Sequence, residues 1–125
     1  MTARPRVEIG IDCRDPTELA PFWEAALGYV RTAGDGHPYL NLESPDDDGP
    51  VIFLQRVPEP KAAKNRLHLD LYTHAPELLV ERLVGLGASV LGEPVGPPDL
   101  WSYQVLADPE GNEFCVCREV DDDVS

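Results

Sequence analysis

The chain has 125 residues, with 10 Lys+Arg against 23 Asp+Glu and a formal net charge of −13. A field of that sign repels phosphate backbones and anionic lipid, which excludes nucleic acid and membrane surfaces as expected partners. A hydrophobic content of 42% and a charged content of 26% are those of a soluble globular chain, and the length suits one domain burying roughly two-thirds of its unfolded surface.

From the N-terminus, Val7, Ile9, Ile11 and Cys13 alternate with Glu8, Gly10 and Asp12, the period of a half-buried strand. Asp15-Pro16-Thr17-Glu18 predicts a helix start, with Asp15 as N-cap, Pro16 in the first turn and Glu18 closing a capping box. Leu19, Phe22, Trp23, Ala26 and Leu27 make one apolar stripe that ends at Gly28. Strands are expected over 29–32, 39–43 and 51–57, separated by turns rich in Gly, Pro and Asp. Asp46-Asp47-Asp48 reads as a loop tip, and the polar stretch 59–65 as a connection.

The second half repeats this order. A strand is expected over 66–72, a helix over 76–86 with Leu79, Leu83 and Leu86 on one side, and strands over 89–91, 101–107 and 113–118. Pro97-Pro98-Asp99 predicts an irregular loop, because consecutive prolines cannot sit in a central ladder. Asp121-Asp122-Asp123 reads as a solvated tail. Arg6-Val7-Glu8-Ile9-Gly10-Ile11 matches Arg66-Leu67-His68-Leu69-Asp70-Leu71 sixty positions on, and Pro16 and Leu19 match Pro76 and Leu79 at the same spacing. An internal duplication explains this run. The fold class expected is α+β, with one strand-helix-strand-strand-strand module over about 6–58 and a second over about 66–118.

If the apolar set (Val7, Ile9, Ile11, Leu67, Leu69, Leu71, Phe114, Val116) packs on the helices, the alternate residues face a cleft. Those are Glu8, Gly10, Asp12, His68, Asp70, Tyr72, Glu113, Cys115 and Cys117, with Tyr39, Asn41, Phe53 and Gln55 at corresponding parity. Such a cleft is polar, acidic and partly aromatic. Trp101 and Tyr103 form either an aromatic lid or ordinary sheet packing. His37 and His74 lie in turn or helix-start contexts and read as solvated or capping.

Three cysteines, an odd number, argue against a disulfide framework. Cys115 and Cys117 lie about 6.6 Å apart by strand rise, at the strained edge of bridging range. No apolar run approaches the roughly 18 residues of a membrane helix, and the N-terminus lacks a signal-peptide core. Reduced thiols in a cytoplasmic protein are therefore expected.

Asp108-Pro109-Glu110-Gly111-Asn112-Glu113-Phe114 resembles the Asp-Pro-x-Gly-Asn turn that enters the last strand of glyoxalase-like proteins. With the duplication, Glu8 and His68, the chain resembles the glyoxalase/bleomycin-resistance (vicinal oxygen chelate) superfamily from about Arg6 to Arg118. The resemblance implies two βαβββ modules forming a half-barrel cleft that takes a small molecule, and commonly a homodimer. Metal-dependent members place four ligands, His or Gln and Glu in the first half and His and Glu in the second. Those positions fall on Glu8, Phe53, His68 and Cys115. Phe53 cannot ligate, and the Glu of glyoxalase-type proton transfer is missing from both last-strand positions.

Alternatives follow for the site. Glu8 and His68 share a hydrogen bond beside an inert Cys115 thiol, or Glu8, His68 and Cys115 bind a divalent metal (Zn, Ni, Fe or Mn). A Cys115 nucleophile activated by His68 is disfavoured, because an acidic cleft raises a thiol's pKa. The favoured expectation needs no cofactor: a protein that sequesters a cationic or aromatic small molecule, as bleomycin-resistance relatives do, in a pocket of Glu8, Tyr39, Asn41, Phe53, Gln55, His68, Asp70, Trp101, Tyr103 and Cys115. The alternatives are a metal-dependent lyase, isomerase or dioxygenase, or an interaction module reusing the fold.

Overall fold

A computed structural model describes residues 6–120; the Asp121-Asp122-Asp123 tail lies outside the described residues. The chain divides into two compact units between Lys61 and Ala62.

The first unit runs β1 (Glu8–Cys13), α1 (Pro16–Leu27), β2 (Val30–Ala33), β3 (Tyr39–Glu43) and β4 (Val51–Arg56). Its sheet has the order β1-β4-β3-β2, with β1 and β4 parallel and the other pairs antiparallel. The α1 ends follow their caps. The Asp15 side chain accepts from the Glu18 backbone N–H, Pro16 opens the first turn, and Gly28 stops the helix in the left-handed region at φ 70°. Leu19, Ala20, Phe22 and Trp23 bury against Leu40, Leu42, Ile52 and Leu54, and the Phe22 and Trp23 rings meet edge to face at 5.2 Å.

The second unit repeats the plan with β5 (Asp70–Thr73), α2 (Pro76–Gly85), β6 (Ser89–Val95), β7 (Tyr103–Ala107) and β8 (Glu113–Arg118), in sheet order β5-β8-β7-β6. Leu83 of α2, Leu106, Phe114 and Val116 are fully buried. Strand-helix-strand-strand-strand modules used twice are therefore observed, as the duplication predicts.

Three local expectations are corrected. The strand expected from Arg66 begins at Asp70, although the Cys115 N–H still donates to the Leu69 carbonyl at 2.9 Å. Leu67 is consequently 89% exposed, and Val7, one residue before β1, is 62% exposed, so neither packs on a helix. Leu86 lies one residue beyond the α2 helix and is exposed rather than part of its buried stripe. In contrast, β6 runs four residues past Leu91, with a register irregularity between Leu91 and Val95. An edge strand tolerates this, and Pro94 with it. Among the described residues no helix is long and apolar enough to cross a membrane, and no disulfide joins the cysteines.

Candidate functional site

The parallel pairing of β5 with β8 sets Asp70 opposite Cys115 and Tyr72 opposite Cys117. Antiparallel pairing of β7 with β8 sets Val105 opposite Cys115 and Tyr103 opposite Cys117. Strand alternation puts all six on one sheet face, opposite Phe114, Val116 and Leu106, which are buried. This face carries a concavity of about 410 Å³. The connection into β5 adds Lys64, Asn65 and His68 to its wall, and Glu113 closes the start of β8. The Asn65 backbone N–H donates to Glu113 Oε1 and its Nδ2 to the Glu113 carbonyl, both at 2.7 Å. That clasp holds the irregular segment against β8.

At the centre, His68 Nδ1 lies 2.9 Å from Asp70 Oδ1, and the donor atoms of His68, Asp70 and Cys115 all lie within 4.8 Å of one another. His68 and Asp70 are about half and two-fifths exposed at their side chains, whereas Cys115 is buried. Burial first, and then the negative charge of Asp70, pushes the Cys115 thiol up to about 11. Cys117 is raised for the same reasons. Both thiols are protonated at neutral pH in the metal-free protein, so Cys115 is no ready nucleophile. Tyr72 is raised too, chiefly by the adjacent Cys117.

The remaining expected site residues belong to the first unit, apart from Trp101. Glu8 opens β1 in the first unit and pairs with Arg6. Tyr39 faces Gln55 and Asn41 faces Phe53 across β3 and β4. Phe53 stands opposite Gly10 of β1, with its ring carbons 2.5 and 2.6 Å from where a Gly10 β-carbon would be. Trp101 sits outside the concavity, beneath the Arg118 guanidinium at 5.4 Å, and its carbonyl accepts from Arg118 Nε. Of the residues the sequence reading did not place, Val105 follows from extending the alternation to β7. Lys64 and Asn65 come from an irregular segment that carries no periodic signal.

The four ligand positions that the resemblance implies do not fit one metal set here. Phe53 offers no donor and its ring covers Gly10. His68, Asp70 and Cys115 form a different set of N, O and S donors drawn from the second unit alone. Asp70 is the donor that position-by-position carry-over missed, and its two-residue spacing from His68 was the available signal.

Comparison with known proteins agrees with this architecture. Residues 8–117 match the family described as Glyoxalase-like domain. A search of curated proteins finds no match. Among solved structures, a glyoxalase/bleomycin resistance protein/dioxygenase family enzyme from Burkholderia phytofirmans PsJN is 18% identical, with TM-score 0.72 over 90% of this chain and 97% of that one. A mutant of the fosfomycin resistance protein FosX of Listeria monocytogenes, complexed with Mn(II) and 1S,2S-dihydroxypropylphosphonic acid, is 12% identical, with TM-score 0.73 over 93% and 90%. A glyoxalase-related enzyme from Fulvimarina pelagi is 18% identical, with TM-score 0.69 over 98% and 96%. At these identities the likeness is one of fold. With the family match covering both modules, the chain belongs to the glyoxalase-like domain family.

Proposed function

We propose that this protein binds a small molecule carrying a positive charge next to a flat apolar group, and that the second-module sheet face receives it. The observation that carries the reading is the wall itself. The Asp70 and Glu113 carboxylates, against the one Lys64 ammonium, share the wall of a concavity of about 410 Å³ with Tyr72, Tyr103 and Val105, within the usual range for small-ligand sites. Carboxylates attract the charge, and the tyrosine faces favour a cation or a stacked ring. The net charge of −13 adds long-range attraction. The test is thermal unfolding of chelator-treated protein against planar aromatic amines and guanidines. At least one should raise the melting temperature, less so in high salt and not in Asp70→Asn. No stabilisation by any cation, or equal stabilisation of Asp70→Asn, would end the proposal. We further read the protein as a cytoplasmic homodimer, a state that sedimentation equilibrium would distinguish from a monomer; β6, an edge strand exposed along its length, supports association.

A second reading, a metal-dependent lyase, isomerase or dioxygenase, is favoured by the gathering of His68, Asp70 and Cys115 within 4.8 Å. A divalent cation held there would supply Lewis-acid polarisation of a ligand oxygen. Turnover that requires added metal and disappears in His68→Ala would establish it; metal-independent turnover would dismiss it.

A further inference from the structure

We infer that the ligand of the second-module sheet face is a zwitterion of the amino-acid type, with ring, ammonium and carboxylate in that order, and that Lys64 selects the carboxylate. The inference rests on the reading that this face takes a cation next to a flat apolar group. It adds the anionic group that such a ligand carries beyond its cation.

Strand pairing arranges the wall of the concavity in three steps along β8. At the first step Glu113 opens the strand, and the backbone N–H and side chain of Asn65 clasp it. The clasp brings the preceding residue, Lys64, to the wall. At the second step Cys115 stands between its register partners Asp70 and Val105, with His68 against Asp70. At the third, Cys117 stands between Tyr72 and Tyr103. A cation, a carboxylate and a pair of aromatic rings thus follow one another on one face, each step being two residues or about 6.6 Å of strand.

Lys64 is the uncommitted charge of this set. Glu113 Oε1 accepts from the Asn65 backbone N–H at 2.7 Å, and Asp70 Oδ1 lies 2.9 Å from His68 Nδ1. The Lys64 ammonium, in contrast, makes no hydrogen bond or ion pair among the described residues. Its charge still acts inside the concavity, where it opposes the rise of the buried Cys115 thiol. An ammonium held at a ligand site without a protein anion is open to an anion on the ligand, in a charge-assisted hydrogen bond.

The spacing suits an amino-carboxylate head. One hydrogen bond from Lys64 to the carboxylate and one from the ammonium to Asp70, each about 2.8–3.0 Å, with the head between them, cover a step of about 6.6 Å. The flat group then falls one step further on, where Tyr72 and Tyr103 line the wall. An amine without the carboxylate leaves Lys64 facing a ligand of its own sign. An acid without the ammonium sets its charge against Asp70.

The experiment is calorimetric titration of metal-free protein, in buffer containing chelator, with tryptophan, tryptamine and indole-3-propionate. The three share one ring and differ only in the charged groups. Tryptophan should bind about tenfold or more tightly than either of the others. Lys64→Met should bring tryptophan and tryptamine to within about twofold of each other, and Asp70→Asn should weaken both. Circular dichroism checks that the variants are folded, and Lys64→Gln is a second variant of similar length. Tryptamine binding as tightly as tryptophan, or a preference that persists in folded Lys64→Met and Lys64→Gln, overturns this inference and leaves the cation-binding reading standing. Indole-3-propionate binding as tightly as tryptophan sinks both, because the cation is then dispensable. No binding of any of the three overturns this inference, and the thermal screen of aromatic amines and guanidines then decides the wider reading by itself.

Discussion

The ring of Phe53 lies over the backbone of Gly10, with its Cζ 2.5 Å from the point where a β-carbon would stand. Any side chain at position 10 must push the ring aside. Gly10→Ala should therefore destabilise by about 1 kcal/mol, in the range of overpacking. In a Phe53→Ala background the same change should become stabilising by about 0.5–1 kcal/mol, because the glycine's backbone entropy cost is then the only difference left. Urea unfolding of the four proteins measures this coupling; additive effects would show that the ring moves freely.

Arg118 fastens the end of β8 to two other parts of its module. Its Nε donates to the Trp101 carbonyl at 2.9 Å, its guanidinium lies on the Trp101 ring, and it pairs with Glu77 in the first turn of α2. Arg56 holds the same station in the first module, donating to the carbonyls of Gly36 and Arg14 at 2.9 and 2.8 Å. Arg118→Lys keeps the charge and loses the planar fork, so it should cost about 1–3 kcal/mol. A change below about 0.5 kcal/mol by urea unfolding, the usual size for a plain surface site, would mean the fork is dispensable.

The same contact has a pH signature. The hydrogen bond from Arg118 is the first cause holding the Glu77 carboxyl below its ordinary 4.5. A lowered folded-state value means the stabilisation is present above 4.5 and is lost as pH falls through the folded value. Stability of the wild type should therefore fall more steeply below pH 4.5 than that of Arg118→Lys, as thermal unfolding across the acid range will show. Parallel curves would remove the Arg118–Glu77 pair from the acid response.

Cys115 acts at the other end of the scale. Its thiol stands at about 11 against an ordinary 9.0, first through burial and then through Asp70. The folded state thus keeps a proton that the unfolded chain releases, so stability contributed by this group is whole below 9 and lost as pH rises from 9 to 11. Alkylation of metal-free protein should stay slow at pH 8 and rise steeply only towards 11. Asp70→Asn should shift that rise downward but leave it above 9, since burial remains. A midpoint at or below 9 in the wild type would contradict this.

How far the site could be read from the residues depended on whether alternation ran unbroken. The Cys115/Cys117 face of β8 and the Phe114/Val116 face opposite were legible because β8 is regular from Glu113 to Arg118. The turn before it was legible because Asp108 accepts from the backbone N–H groups of Glu110 and Asn112, both at 2.9 Å, as an Asp-x-x-Gly-Asn turn demands. Leu67 departs from the alternation because the Asn65–Glu113 clasp holds the residues before Asp70 outside the ladder. Asp70 reads as a wall residue and not as a third donor, because strand register cannot be read from one strand alone.

Gln104 is the buried counter-example to alternation, a polar residue on the helix-facing side of β7. It is 3% exposed, and its Nε2 donates to the carbonyls of Leu91, Gly92 and Val105 at 3.3, 3.1 and 3.0 Å. Two of those carbonyls lie where β6 slips register between Leu91 and Val95, so the amide supplies the donor that an irregular edge cannot obtain from its neighbour. Gln104→Leu keeps the volume but leaves carbonyls short of a partner, and should destabilise by about 1–3 kcal/mol. Ligand or metal affinity should stay unchanged, because Gln104 points away from the face carrying Tyr103 and Val105. Urea unfolding with parallel calorimetry checks both halves. Unchanged stability would mean that water satisfies the irregular stretch of β6, and altered affinity would mean that this stretch and the concavity move together.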